Sequence, residues 1–221
     1  MPDRAPLLDG EQPIDNPPPS ALTRGELLPP RARANGTLRR LQEAALLRFA
    51  ERGYHGVSIR ELAEAAGVTV SSVYSHVSAK EDLLAELMVM GHLEHNDWLR
   101  AALRSAPADP GAQMHAVVHA HVSVHATYPL LTRVCNKELH ALSEANAARV
   151  MEIRHDSERV FLDILERGLA RAGFHSPDPW LAVAAIGGMG IRVAEWFDPD
   201  GPYSVEEVAG AYADFTLKML A

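Results

Sequence analysis

The segment from Ser58 to Lys80 does most to limit what this chain can become. It reads Ser-Ile-Arg-Glu-Leu-Ala-Glu-Ala-Ala-Gly-Val-Thr-Val-Ser-Ser-Val-Tyr-Ser-His-Val-Ser-Ala-Lys. Ser58 with Glu61, and Ser78 with Glu81, each have the spacing of a capping box, which predicts a helix start at both serines. Gly67 falls where the first helix must stop and the chain must turn, a place for a residue that accepts positive φ without steric cost. On the second helix Val73 and Val77 lie four apart, with Val68 leading in, while Ser71, Ser72, Tyr74, Ser75 and His76 cover the opposite arc. Two short helices about a glycine, the second apolar on one side and small and polar on the other, predict a helix-turn-helix. Its polar arc is suited to a DNA groove.

The surrounding pattern is helical. From Asn35 onward Leu38, Leu41, Ala45 and Phe49 recur at helical spacing and Gly53 closes that helix, so a three-helix DNA-binding domain is expected over 35–80. After Ser78 a long amphipathic helix runs to about Arg104 and breaks at Ala-Pro-Ala-Asp-Pro-Gly. Further helices are expected near 111–126, 129–140, 144–172, 178–198 and 204–220. The sequence has no alternating strand pattern with hairpin turns. The fold class is therefore all-α, with a three-helix head and a body of about six helices over 81–221. Residues 1–34 form the remaining unit: the first thirty hold eight of the fifteen prolines with no helical or strand period, which predicts a disordered tail.

A net charge of −8 looks wrong for a DNA binder until it is divided along the chain. Residues 1–30 carry −3, residues 31–90 carry +1 and residues 91–221 carry −6, so the acid lies away from the reading head. Arg31, Arg33, Arg39 and Arg40 cluster just before and within the first helix, where they suit the phosphate backbone or a solvated face equally. No run approaches eighteen uncharged apolar residues, so no membrane partner is expected. A single cysteine, Cys135, rules out an internal disulfide and fits a reducing compartment. With no basic-then-apolar start, the expected location is the cytoplasm.

The run Gly-Val-Thr-Val-Ser-Ser-Val-Tyr-Ser-His-Val-Ser-Ala-Lys-Glu resembles the recognition helix and following helix start of TetR-family transcriptional repressors. The resemblance extends over everything except the tail. It implies a DNA-binding set of Ser58, Thr69, Val70, Ser71, Ser72, Tyr74, Ser75, His76 and Lys80. Within that set Thr69, Tyr74, His76 and Lys80 are implied to contact phosphates, and Val70, Ser71 and Ser75 to lie nearest the base edges. Val70 stands where the family often has lysine, and Val77 where it usually has phenylalanine. A valine near a base edge suits a thymine methyl. In the body, Tyr-Pro-Leu-Leu-Thr-Arg-Val-Cys-Asn-Lys-Glu-Leu-His-Ala-Leu-Ser, Arg-His-Asp-Ser-Glu-Arg and Gly-Gly-Met-Gly-Ile-Arg-Val-Ala-Glu-Trp-Phe-Asp-Pro-Asp-Gly resemble repressors of lipid and steroid catabolism released by acyl-CoA thioesters.

The helix near 178–198 carries Gly187, Gly188 and Gly190, each costing roughly 1 kcal/mol against alanine in a helix. Close approach of another helix offsets that cost. Since the last two long helices of TetR relatives pair across a two-fold axis, 178–198 and 204–220 are assigned to a homodimer interface. A phosphate loop is excluded by the lack of a preceding strand and by the glycine spacing. Arg192 and Trp196, four apart, suit a phosphate or carboxylate of an effector, although an Arg paired with an acidic residue at the interface is the alternative.

His115, His119, His121 and His125 make two i, i+4 pairs, but His119 and His121 differ by roughly 200° around a helix, so all four cannot hold one ion. No metal set is assigned. His121 and His125 are instead expected at the effector cavity. No cofactor is expected either. His155, Asp156 and Ser157 point in different directions and make no triad, and Cys135 has no marked histidine partner, so the chain is not expected to be an enzyme. The expectation is a dimeric repressor that binds a palindromic double-stranded operator and is released by a small molecule, an acyl-CoA thioester among the candidates. A metal-responsive repressor and a helical small-molecule-binding dimer without an operator are the alternatives.

Overall fold

The computed structural model describes residues 27–30 and 36–221. Among these residues the chain is all helix and turn, as its periodicity predicts. The head is α1 (Thr37–Arg52), α2 (Ile59–Ala65) and α3 (Val70–Tyr74); the body is α4 (Lys80–Ser105), α5 (Pro110–Thr127), α6 (Pro129–Lys137), α7 (Glu144–Arg171), α8 (Pro179–Trp196) and α9 (Val205–Leu220), with a 3-10 turn at Leu139–Ala141.

The punctuation of the head follows the sequence except at one point. Ser58 and Glu61 form the reciprocal box at the start of α2. Gly67 has φ +65, the left-handed turn expected of it. Phe49, Leu41, Leu62, Val73 and Val77 close the head core. The box expected from Ser78 and Glu81 does not form. Asp82 takes its place, accepting from the backbone N–H of Ser78 at 2.8 Å and of Ala79 at 2.9 Å, so α4 begins at Lys80. Glu81 is drawn away because its Oε1 accepts from Ser143 N–H and Asn146 Nδ2, both at 2.7 Å.

The expected tail also needs correction at its end. Leu28, inside the segment assigned to it, is fully buried in the head core, with Leu27 packed beside it. A proline-rich composition describes an average over the segment, and one leucine with an apolar hole to fill departs from it. Residues 1–26 and 31–35, with Arg31 and Arg33, lie outside the described residues. Arg39 and Arg40 turn to local partners: Arg39 pairs with Glu43 at 2.7 Å and Arg40 reaches Thr37 Oγ1 at 3.4 Å.

In the body α5 is the central helix, buried on most of its circumference and packed against α4, α7, α8 and α9. That explains its lack of an amphipathic stripe: nearly every face meets another helix. Leu99, Met114, Val117, Phe161, Ile164, Ile186 and Val193 fill the space between these helices. Head and body share α4, and they are also stitched side by side. Glu138 Oε2 accepts from Tyr54 N–H at 3.2 Å, and Gln42 Nε2 donates to Glu86 Oε2 at 3.1 Å.

Candidate functional site

Among the described residues two places have the form of a site: the outer face of α3 and a cavity in the body. Thr69 starts α3, its Oγ1 accepting from Ser72 N–H at 3.1 Å, and Val73 and Val77 anchor the inner face. Ser71, Tyr74, Ser75 and His76 are left exposed, Tyr74 at 55%, so the sequence's division of the helix into a packing side and a polar side is the observed one. Val70 is half-buried against the head core rather than fully presented. Ser72 is half-buried as well. Ser75 Oγ donates to Ser72 O at 2.7 Å, and Ser58 Oγ is engaged with Glu61. Glu61 is held at about 2, first by the Ser58 N–H and hydroxyl and then by Arg52, 2.8 Å away.

Lys80 carries a task that its position in the motif does not reveal. Its Nζ donates to Tyr54 O at 2.7 Å and Val57 O at 2.6 Å and lies 3.9 Å from the centre of the Tyr54 ring. Partial burial lowers its pKa. The ammonium therefore ties the α1–α2 loop to the start of α4, and whatever it offers to a phosphate comes from a head it also holds together.

The cavity, about 590 Å³, lies between α4, α5, α6, α7 and α8. Its wall is largely apolar, with Phe161, Leu162, Val183, Ala184 and Ile191, and its charged groups are Arg154, Glu158 and Arg159. Gly187 and Gly188 line it too, and a Cβ added at either would meet nothing. Within the chain these two glycines thus widen the cavity, and no side chain of the same chain fills the space beside them. Gly190 does admit one, since a Cβ there would overlap the His121 ring of α5.

His121 and His125 line the cavity, and the structure adds His95 and His92 from α4. His95 Nε2 lies 2.8 Å from His121 Nδ1, and one nitrogen from each of His95, His121 and His125 lies within 4.8 Å of the others. Burial pushes all of these rings toward the neutral form: His95 well below its ordinary value, His121 to about 3, His125 to about 4 and His92 to about 4. Within α5 the four histidines do divide between two faces, His115 and His119 turning to Asp214 and Glu206 of α9. Spacing along α5 gives no hint of His95, which arrives from another helix, 26 residues before His121.

Arg192 and Trp196 are not in the cavity wall. The wall positions of α8 centre near Gly187 and Ile191, and at 100° per residue residues 192 and 196 lie roughly 110° and 150° round the helix. Arg192 is exposed, and Trp196 stacks on Tyr212 of α9 with ring centroids 6.5 Å apart. The acidic residue of α8 that does find cations is Glu195, 2.9 Å from Lys137 and 3.8 Å from Arg133.

His155, Asp156 and Ser157 diverge, with Ser157 buried against His95 and Asn96 and Asp156 turned to Arg159 at 3.0 Å. Burial pushes the Cys135 thiol up to about 12, which makes it a poor nucleophile. No helix among the described residues is long and apolar enough to cross a membrane.

Comparison with known proteins matches both places. Residues 41–87 match the model of bacterial regulatory proteins of the tetR family, and residues 107–220 match the tetracyclin repressor-like C-terminal domain. The HTH-type transcriptional repressor KstR2 of Rhodococcus jostii is 25% identical over 207 residues, covering 93% of this chain and 97% of its own. Among solved structures, a tetR-family regulator from Rhodococcus RHA1 superposes with a TM-score of 0.78 at 30% identity, over 85% of this chain and 98% of that one. The TetR-family regulator PfmR of Thermus thermophilus gives 0.74 at 32%, over 83% and 99%. AibR, solved with isovaleryl coenzyme A and operator DNA, shares the fold at 0.72 and 22% identity, over 84% and 98%. With a matching head and a matching body, the chain belongs to the TetR family of transcriptional regulators.

Proposed function

We propose that the protein is a cytoplasmic, homodimeric repressor that docks one α3 in each half of a palindromic operator and is released when a small molecule fills the body cavity. The units are the N-terminal segment over 1–34, whose Leu28 docks in the head core, a reading head over 35–80 and a sensing and dimerising body over 81–221. Thr69, Tyr74 and His76 grip phosphates, with Lys80 and Ser58 holding the edges of the motif, while Val70, Ser71, Ser72 and Ser75 lie toward the bases. The half-buried Val70 offers its outer methyl to a thymine.

The observation that carries the reading is the cavity, about 590 Å³ and walled in part by α4, the helix whose first residue, Lys80, holds the head loop. That volume suits a drug-sized or acyl-pantetheine ligand. Arg154 and Arg159 at the wall offer planar forks to phosphate or carboxylate, a role first assigned to Arg192 and better placed here. An acyl-CoA thioester, the ligand class seen in AibR, meets an apolar wall with its acyl chain and those guanidinia with its phosphates. Dimerisation is supported by the apolar side chains that α8 and α9 leave uncovered: Trp180, Leu181, Phe215 and Met219. Because half-sites repeat about every 34–36 Å, a ligand that changes the separation of the two α3 helices prevents both from docking at once.

Fluorescence anisotropy on the promoters of its own and adjacent genes tests this. We expect sequence-specific binding that weakens steeply with salt and is reversed by acyl-CoA thioesters but not by the free acids. Binding that ignores sequence and salt would sink the operator reading, and retention of operator under every thioester would sink the effector class.

A further inference from the structure

The hydrogen bonds around His95, His121 and His125 fix where their protons sit. Asn96 Nδ2 donates to Ile153 O at 2.9 Å, so Asn96 Oδ1 is the atom turned to Ser157 and takes the hydroxyl proton. Ser157 Oγ, its one proton spent, can only accept from His95 Nδ1, 3.0 Å away. His121 Nε2 meets the carbonyl of Gly187 at 3.1 Å and must donate to it. His125 Nδ1 meets the carbonyl of His121 at 2.7 Å and must donate as well. Each ring has thus committed its N–H outward, to an acceptor, and retains a lone pair on its other nitrogen: His95 Nε2, His121 Nδ1 and His125 Nε2.

Two of those lone pairs face each other across 2.8 Å, a repulsive arrangement that a cation between them relieves. A proton between them serves only this pair and leaves the third lone pair, on His125, unmatched. A metal ion satisfies three lone pairs together. Imidazoles whose outer N–H is held by a carbonyl or hydroxyl are the usual form of metal-ligating histidine, with tautomer and ring plane set in advance.

We propose that His95 Nε2, His121 Nδ1 and His125 Nε2 bind a divalent ion of the zinc, cobalt or nickel class, with its fourth position open to the cavity. Neutral imidazoles in a buried setting select these ions over magnesium or calcium, which want oxygen. Seating zinc needs the His95–His121 pair to open by roughly half an ångström, since nitrogens about 2.0–2.1 Å from a tetrahedral ion stand about 3.3 Å apart. Gly190 belongs to the site because it leaves room for the His121 ring. The ion cross-links α4 to α5, and the site does not depend on which effector or operator the protein uses.

Full-length protein, stripped with chelator and titrated with Co²⁺ and Zn²⁺ in the absence of DNA, tests the proposal. The expected result is one ion per chain, intense visible-region cobalt bands of tetrahedral type, and displacement of cobalt by zinc. His95→Gln and His125→Gln abolish the bands; Ser157→Ala, which removes only an outer acceptor, weakens binding about 10–100-fold. His115→Gln with His119→Gln, the other i, i+4 pair, leaves both spectrum and stoichiometry unchanged. Wild-type protein that takes up no stoichiometric ion, or uptake lost with His115 and His119 and kept in His95→Gln, overturns it. If the ligand variants fail to fold, the wild-type spectrum and Ser157→Ala decide.

Discussion

Lys80 shows how a residue can match a motif and be used differently by the fold. The sequence places it beside DNA, whereas its Nζ satisfies the Tyr54 and Val57 carbonyls. Lys80→Ala is therefore expected to destabilise the head by about 1–3 kcal/mol in urea unfolding, because it removes the ammonium donor that the Tyr54 and Val57 carbonyls share, in addition to weakening operator binding. Tyr74→Ala, exposed and free of that task, should weaken binding to all sequences with stability unchanged within about 0.5 kcal/mol. Ser71→Ala should shift preference among operator sequences instead. The glycines of α8 separate in the same way. Gly190→Ala should cost about 1–3 kcal/mol by driving a methyl into the His121 ring, while Gly187→Ala, with open space around its Cβ, should be neutral or stabilising by up to about 1 kcal/mol. Thermal and urea melts of the two variants side by side check the difference.

At the scale of elements, what was legible in the sequence was local. The caps, Gly67 and the four-residue spacing of Val73 and Val77 are set by near neighbours, and the structure forms α2, the turn and α3 where they predict. What was hidden depends on distant partners. Glu81 leaves its own helix start for Ser143 and Asn146, 62 and 65 residues away, and Leu28 leaves a proline-rich stretch for the head core. His95 had no spacing to mark it, and Arg192 shared a helix with the cavity while facing elsewhere. The apolar residues on α8 and α9 carry an expectation at this scale: Leu181→Glu with Phe215→Glu, both exposed in the single chain, should convert a dimer to monomers in sedimentation velocity while helicity is retained. Operator affinity should fall with dimer content.

For the whole molecule, acid and linkage give two further expectations. In the metal-free protein, burial holds His92 and His125 near 4 and His121 near 3, against 6.5 for a free ring. The unfolded chain then binds more protons below about pH 6.5, so stability is complete above that pH and declines as pH falls toward 4. Chemical melts from pH 7.5 to 4.5 should show this slope, and it should steepen when an ion that requires neutral rings is present. Glu138→Ala removes the acceptor for Tyr54 N–H, one of the links between body and head. Effector affinity measured without DNA should stay constant, while the loss of operator affinity that the effector produces shrinks by about 5-fold or more.

The unbroken run of α4 has a mechanical consequence. It extends 26 residues, about 39 Å, and His95 lies fifteen residues beyond Lys80, roughly 22 Å along the rod. A tilt of about 5° pivoting near His95 would carry the Lys80 end sideways by about 2 Å, more than half the length of a hydrogen bond. A rearrangement at the cavity too small to disturb the packing of the body would thus be multiplied by leverage into a displacement large enough, on the proposed operator, to pull side chains off a base edge. A nudge at the middle of the rod would move its tip.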